Sequence, residues 1–278
     1  MKNFKNKLAL ITGGSSGIGL ALAKILSSRG AHVYLLARRP DVLQSALNEV
    51  EEAALTTEQH FGRLAVDVAN LEQVNTELAA FMGHTGVPDL LVNSAGVTQP
   101  GQFEEQDPEL FRWMMDINIL GMMYVTRALL PGMLERGSGM IVNLSSLAGF
   151  VGAYGYCAYG ASKFAVRGFS DVLRAEMKPR GIHVSVVFPP DTQTPQLVGE
   201  EPYKPAVTQA LSDNAGVLSA ETVAETILKG ISRRKYIIIP GFESKLFYFI
   251  NSLPGNLAYP IMDFMISQAL RKLDSQQK

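Results

Sequence analysis

Leu8-Ala9-Leu10-Ile11-Thr12-Gly13-Gly14-Ser15-Ser16-Gly17-Ile18-Gly19 is the stretch that decides the fold. A short apolar run ends in a glycine-rich turn. A helical pattern follows, with Ile18, Ala21, Leu22, Ile25 and Leu26 spaced for one face. Gly13, Gly17 and Gly19 let the backbone turn tightly and come close to a pyrophosphate. The helix start that follows offers free N–H groups to phosphate oxygens, and Ser15, Ser16 and the backbone at Ile18 belong to the same cradle. Structural turns use glycine too. The strand before and the helix after make this one a candidate dinucleotide turn.

The alternation of strand and helix continues down the chain. Strands are expected at 8–12, 32–37, 63–68, 90–94, 140–145, 183–188 and 236–240. Helices are expected at 17–29, 41–55, 71–81, 158–177 and 220–232, with a long, bent helical region over 108–135. Runs as apolar as Met140-Ile141-Val142-Asn143-Leu144 fit burial on both faces. The expected fold is α/β: a single-domain, Rossmann-type, doubly wound parallel sheet of about seven strands over 1–278, with helices on both faces. Two stretches fall outside the alternation. Residues 191–219 are expected to form a substrate loop or lid, and 241–278 an apolar C-terminal extension.

The 278 residues are 47% apolar, enough for a large core, and 25 basic residues nearly balance 26 acidic ones. No block of like charge marks a nucleic-acid surface. The sole cysteine, Cys157, cannot form an intrachain disulfide, which fits a reducing compartment. Two readings stand for it, a reactive thiol or a small residue lining the pocket. The four histidines are scattered without metal-ligand spacing, so no metal is expected. Residues 1–7 run into a strand without the apolar stretch of a signal peptide, and no run of eighteen apolar residues suggests a spanning helix.

Cofactor choice is read at the end of the second strand. An acid there would bond a ribose 2′-hydroxyl and repel a 2′-phosphate. The chain has Ala37-Arg38-Arg39 instead, and two guanidinium groups suit the 2′-phosphate of NADP. The alternative is a solvated basic pair. Asp67 and Val68 are placed to meet the adenine, with Asp67 alternatively capping the next helix.

Tyr159 and Lys163 lie four residues apart and so share a helix face. A nearby ammonium favours a phenolate, which brings proton transfer by a tyrosine within reach of neutral pH. Lys163 can also bond a nicotinamide ribose. A lone Tyr-x-x-x-Lys pair is common surface decoration. Ser146 and Asn118, thirteen and forty-one residues upstream of the tyrosine, argue otherwise. Ser146 is placed to steady a substrate carbonyl, and Asn118 to hold a water linking Lys163 to solvent.

These residues resemble the short-chain dehydrogenase/reductase family from Thr12 to about Thr194. The glycine pattern is met at Thr12, Gly13, Gly17 and Gly19. The family's Asn-Asn-Ala-Gly motif appears as Asn93-Ser94-Ala95-Gly96. Its Pro-Gly motif appears as Pro189-Pro190, with Thr194 where a threonine usually meets the nicotinamide carboxamide. The resemblance implies a catalytic tetrad of Asn118, Ser146, Tyr159 and Lys163. It also implies cofactor contacts from Asn93, Ala95, Gly96, Pro189 and Thr194. Within the family, Pro189-Pro190-Asp191-Thr192-Gln193-Thr194-Pro195 and Tyr159-Gly160-Ala161-Ser162-Lys163 look like the matching segments of 3-ketodihydrosphingosine reductases. That likeness implies NADPH-dependent reduction of a lipid-like 3-keto substrate. A 3-oxoacyl thioester or steroid reductase and a catalytically inactive NADP sensor are the competing expectations. The family implies a homodimer or homotetramer built on the long helices.

The apolar, aromatic tail with Arg233, Arg234, Lys235 and Lys245 nearby suits a membrane interface, a lid or a subunit contact. The expected location is cytoplasmic, with peripheral contact at the inner membrane surface.

Overall fold

The computed structural model describes residues 3–212, 216–252 and 258–276. Among them the strands are β1 (Leu8–Thr12), β2 (His32–Ala37), β3 (Phe61–Ala65), β4 (Leu90–Asn93), β5 (Gly139–Leu144), β6 (Ile182–Val187), β7 (Thr192–Gln193), β8 (Leu218–Ser219) and β9 (Ile237–Ile238). Seven of them form one sheet in the order β3-β2-β1-β4-β5-β6-β9, and every pairing is parallel. The strand order reverses direction between β1 and β4. That is the switch point at which such sheets open a crevice beyond their C-terminal ends.

The helices are α1 (Gly17–Ser28), α2 (Pro40–Glu52), α3 (Leu71–Thr85), α4 (Pro108–Met115), α5 (Met122–Arg136), α6 (Cys157–Met177), α7 (Pro195–Glu200), α8 (Ala206–Ser212), α9 (Ala220–Ser232), α10 (Phe242–Asn251) and α11 (Ala258–Gln276). Side chains alternate across the sheet with period two. Ala9, Ile11, Leu90, Val92, Met140 and Val142 face a core shared with α1, α2 and α9. Leu10, Leu91 and Ile141 face a second core shared with α3, α5 and α6. Both faces are therefore covered, which is why the central strands carry almost no polar residue. Asn93 and Asn143 are among the exceptions: Asn93 Nδ2 donates to Asn143 Oδ1, and Asn143 Nδ2 to Ser170 Oγ.

Several boundaries differ from the sequence reading. β3 begins and ends earlier than 63–68, because its register against β2 runs from Val33↔Phe61 to Ala37↔Ala65. Buried Val66 and Val68 carry the apolar signal beyond the last paired residue. The helix expected to end at residue 81 runs to Thr85, where Gly86 at φ +82° stops it. At the far edge only Ile237 and Ile238 pair with β6.

The bend expected within 108–135 is a π-helical turn, Asp116–Gly121, between α4 and α5. By length and composition Pro108–Arg136 is apolar enough to cross a membrane. Here it is a domain helix: α5 packs beside α3 and sinks Val125, Leu129 and Met133 into the second core.

The C-terminal extension is two helices. Phe150, Phe188, Phe247 and Tyr248 form an aromatic cluster that docks α10 onto the sheet, with Phe150 and Tyr248 edge to face at 5.0 Å. Asn251 Nδ2 adds a hydrogen bond to the Phe150 carbonyl at 3.1 Å. α11 packs on α8 and α10. Residues 191–219 supply the β7–β8 pair and helices α7 and α8, apart from 213–215, which lie outside the described residues.

Candidate active site

The crevice beyond β1 and β4 is a single cleft of about 800 Å³. Its floor is the glycine turn. Gly13 and Gly17 adopt φ values of +64° and +55°, which side chains resist. A Cβ on Gly13 would stand 2.7 Å from the Ala95 nitrogen, so this turn is packed against the end of β4. A Cβ on Gly17 would stand 2.9 Å from Thr194 Cγ2. Gly19 does not line the cleft. It is buried, and a side chain there would collide with the Gly13 carbonyl. Its task is to let α1 start against the turn.

Gly13, Ser15, Ser16, Gly17, Ile18, Arg38, Asp67, Val68, Ala95, Gly96, Pro189 and Thr194 all line the cleft, as the sequence reading placed them. Arg38 and Arg39 part company. Arg38 is exposed at the cleft edge, while Arg39 is the exposed N-cap of α2 and is not in its wall. Asp67 does not cap α3; Asn70 does, accepting from Gln73 N at 3.0 Å. Asp67 Oδ1 instead accepts from Ala69 N and holds the loop that borders the cleft. Asn93 lies behind the wall. Its Nδ2 donates to Thr126 Oγ1 and Asn143 Oδ1, at 3.0 and 2.9 Å. The residue therefore ties β4 to α5 and β5, whereas a direct cofactor contact was expected.

The expected tetrad converges. Tyr159 and Lys163 project from the first turns of α6, and Lys163 Nζ stands 5.5 Å from the Tyr159 ring centre. Lys163 Nζ donates to the Leu144 carbonyl at 3.0 Å. Ser145 Oγ donates to the Lys163 carbonyl at 2.8 Å and pins that helix turn to the end of β5. Asn118 sits in the wide π turn. Its Oδ1 accepts from Val97 N, and its Nδ2 donates to the Val97 carbonyl and to Ser162 Oγ, all within 2.9 Å. A Cβ on Gly96 would lie 3.4 Å from both Asn118 Oδ1 and Lys163 Nζ, so these two groups flank the same small residue.

Burial sets the protonation states. It pushes the Tyr159 hydroxyl well above its ordinary value, while Ser146 and Gln196, within hydrogen-bonding reach, pull the other way. Burial lowers Lys163 to about 8. The expectation that Lys163 depresses the tyrosine is not what this arrangement gives, because desolvation dominates both groups and drives each toward its neutral form. A tyrosine held protonated is the state an acid needs.

Several lining residues escaped the sequence reading. Tyr156 stacks obliquely on Tyr159 at 5.8 Å. Asp191 and Glu200 line the same region. Burial, and then the Asp191 charge, raise Glu200 to about 7 despite the pull of Lys204. From the C-terminal helices, Phe242, Leu246, Phe247, Ile250, Ile261 and Met265 give the cleft an apolar wall. Cys157 is exposed at the start of α6 and does not line the cleft, which removes the pocket-lining reading of it. Among the described residues no group of acids, histidines or cysteine could hold a metal.

The profile of the short chain dehydrogenase family matches residues 7–202. A 3-dehydrosphinganine reductase of Danio rerio is 42% identical over 221 residues, which span 79% of this chain and 67% of the relative. A 3-ketodihydrosphingosine reductase of Bos taurus is 37% identical over 257 residues, 92% of this chain and 76% of the relative. Among solved structures, L-sorbose reductase from Gluconobacter frateurii, complexed with NADPH and L-sorbose, superposes with a TM-score of 0.74. It is 27% identical, over 86% of this chain and 97% of that one.

Replacing Tyr159 by Phe removes a hydroxyl within hydrogen-bonding reach of both Ser146 and Gln196. We expect a loss on the order of 10²-fold or more in kcat, the scale of a missing general acid. NADPH affinity, read by fluorescence titration, should barely change. Near-normal turnover would remove Tyr159 from the chemistry.

Proposed function

The chain belongs to the short chain dehydrogenase family, and within it we propose an NADPH-dependent reductase of a long-chain 3-keto base, 3-ketodihydrosphingosine, to its alcohol. One observation carries this reading. A single cleft joins the glycine turn and Tyr159 to an apolar wall built by α10 and α11. A sugar or a short ketone does not need that wall, but an alkyl chain does.

The residues fit a dinucleotide phosphate. Gly13, Ser15, Ser16 and Gly17 line the cleft at the start of α1, where a pyrophosphate would sit. Arg38 lines the cleft at the end of β2, where Ala37 stands in place of the acid that would repel a 2′-phosphate. NADPH, when bound, supplies the hydride. The chain's own residues do the rest. Ser146 orients the ketone oxygen, and the Tyr159 hydroxyl gives it a proton. Lys163 would hold the nicotinamide ribose, and Asn118, on the other side of Gly96, fixes the Val97 backbone and Ser162 of α6 beside it. Thr194, at the start of α7, closes over the glycine turn. Helices α7, α8, α10 and α11 act as the lid, and they are the elements that choose the substrate.

A kinetic panel tests this. With NADPH, 3-ketodihydrosphingosine should exceed acetoacetyl thioesters and steroid ketones in kcat/KM, and NADH should be the poorer donor. Ala37→Asp with Arg38→Ala should shift donor preference toward NADH. Equal use of both donors by the wild type would refute the role of Arg38, and a preference for short 3-oxoacyl substrates would refute the lipid reading.

We also propose that the cleft mouth works at a membrane surface. Phe242, Phe249 and Phe264 are 80%, 60% and 63% exposed on the C-terminal helices. Lys229, Arg233, Lys235 and Lys245 line a depression beside α10, a natural seat for anionic headgroups. The expected result is flotation with anionic vesicles at low salt and release at high salt. No flotation at low salt would leave the exposed aromatics without this role.

The exposed Phe164 and Val172 on α6 support assembly through the long helices, as a homodimer or homotetramer. Light scattering that finds a monomer at micromolar concentration would overturn it.

A further inference from the structure

The wall of the cleft beside Tyr159 is acidic, and its charges do not balance. Glu200, at the end of α7, is 7% exposed and lines the cleft, yet it makes no ion pair among the described residues. Asp191, at the start of the β7 segment, lines the same wall and repels it. The ammonium that acts on both is Lys204, whose side chain is 2% exposed and which is paired with Glu201 at 2.6 Å. Asp191 and Glu200 in the cleft wall thus share the pull of one cation that is already paired with the exposed Glu201. Tyr156 links this group to the chemistry. Its hydroxyl interacts with Glu200, and its ring leans on the Tyr159 ring at 5.8 Å. The Glu200 charge is felt at Tyr159 itself.

A buried carboxylate without a cationic partner is costly, and it either takes up a proton or waits for a cation. The cost is sustained here at one spot, next to the hydroxyl that protonates the ketone. A 2-amino-3-ketone carries its ammonium on the carbon adjacent to the carbonyl. Once the ketone oxygen sits at Tyr159 and Ser146, that ammonium must lie within a few bond lengths of the same wall, while the alkyl chain leaves along Leu246, Phe247 and Ile261.

We propose that Glu200, supported by Asp191, receives the substrate ammonium and makes this cleft selective for amino ketones over neutral ketones of the same length. This rests on the reading that the cleft reduces a long-chain 3-keto base. It adds what that reading does not contain, a residue that senses the amine. Lys204 then has a second task. It holds α7 and the segment after it in place through Glu201 and keeps the two receiving carboxylates ionisable without neutralising both.

The test compares 3-ketodihydrosphingosine with its 2-deamino analogue, which keeps the chain, the hydroxyl and the ketone but has hydrogen in place of the ammonium. Both are reduced with NADPH by the wild type and by Glu200→Gln. The ratio of kcat/KM, amine over deamino, should be well above one in the wild type. It should fall on the order of 10- to 100-fold in the variant, the scale of one charge-assisted hydrogen bond, and mainly through KM. A merely structural role for Glu200 would lower both substrates together and leave the ratio unchanged, which would overturn the proposal. NADPH fluorescence titration shows whether the variant is folded. If it is not, inhibition of the wild type decides. Dodecylamine should compete at roughly tenfold lower concentration than dodecanol, and equal inhibition would overturn the proposal. A wild type that reduces the deamino analogue as well as the amine sinks this inference alone. A wild type that reduces neither sinks the proposed function and this inference with it.

Discussion

Thr12 Oγ1 accepts N–H bonds from both Ser94 and Ala95, each at 3.1 Å. Beside it, the backbone at Gly13 lies so close to Ala95 that no side chain fits between them. This seam joins the end of β1 to the end of β4 at the point where the sheet's connections part to either side. Everything functional hangs from it. The glycine turn leaves one side of the seam, and the Gly96–Val97 segment leaves the other toward Asn118 and Lys163. Loosening it would separate the glycine turn from Tyr159 and Lys163, although neither group contains Thr12.

Much of this was legible in the sequence, for physical reasons that can be named. Strands buried on both faces must be apolar throughout, so β1, β4 and β5 declared themselves. A turn that must approach a phosphate excludes side chains, so its glycines did as well. Tyr159 and Lys163 were visible because a helix brings i and i+4 to one face. What stayed hidden depends on contacts between distant segments. Asn93 carries the right motif, but its amide is spent on Thr126 and Asn143, a bond across the sheet that no local pattern announces. Arg38 and Arg39 are neighbours in the chain, and only the start of α2 decides which one stays at the cleft. Glu200 sits in Val198-Gly199-Glu200-Glu201-Pro202, which reads as an ordinary solvated loop. Its burial comes from α7 folding over the cleft. The relative pull of desolvation and of Lys163 on Tyr159 was likewise a matter of depth, which spacing does not encode.

The two ends of the cleft follow opposite rules. At the cofactor end the wall is backbone, with rigid turns and free N–H groups. At the substrate end it is side chains carried on helices α7, α8, α10 and α11, anchored by the aromatic cluster of Phe150 and Tyr248, by Asn251 on the Phe150 carbonyl and by Thr208 on the Tyr154 carbonyl. The first arrangement tolerates little variation. The second can change its lining by substitution without disturbing the sheet, which is how one scaffold takes on different ketones.

The wide turn at Asp116–Gly121 has a bearing on how this chain can vary in length. An α-helix advances about 100° per residue, so one residue too many or too few rotates everything beyond it. The π turn is where that rotation is absorbed. It lets Met114 point into the core before it, Asn118 point to the α6 hydroxyl within it, and Val125, Leu129 and Met133 meet the sheet after it. Removing a single residue there would restore a regular helix and put its two halves out of phase with each other. Either the amide or the apolar stripe would then face the wrong way. The helix is thus regular where it only packs and irregular at the one turn where packing and chemistry demand different angles.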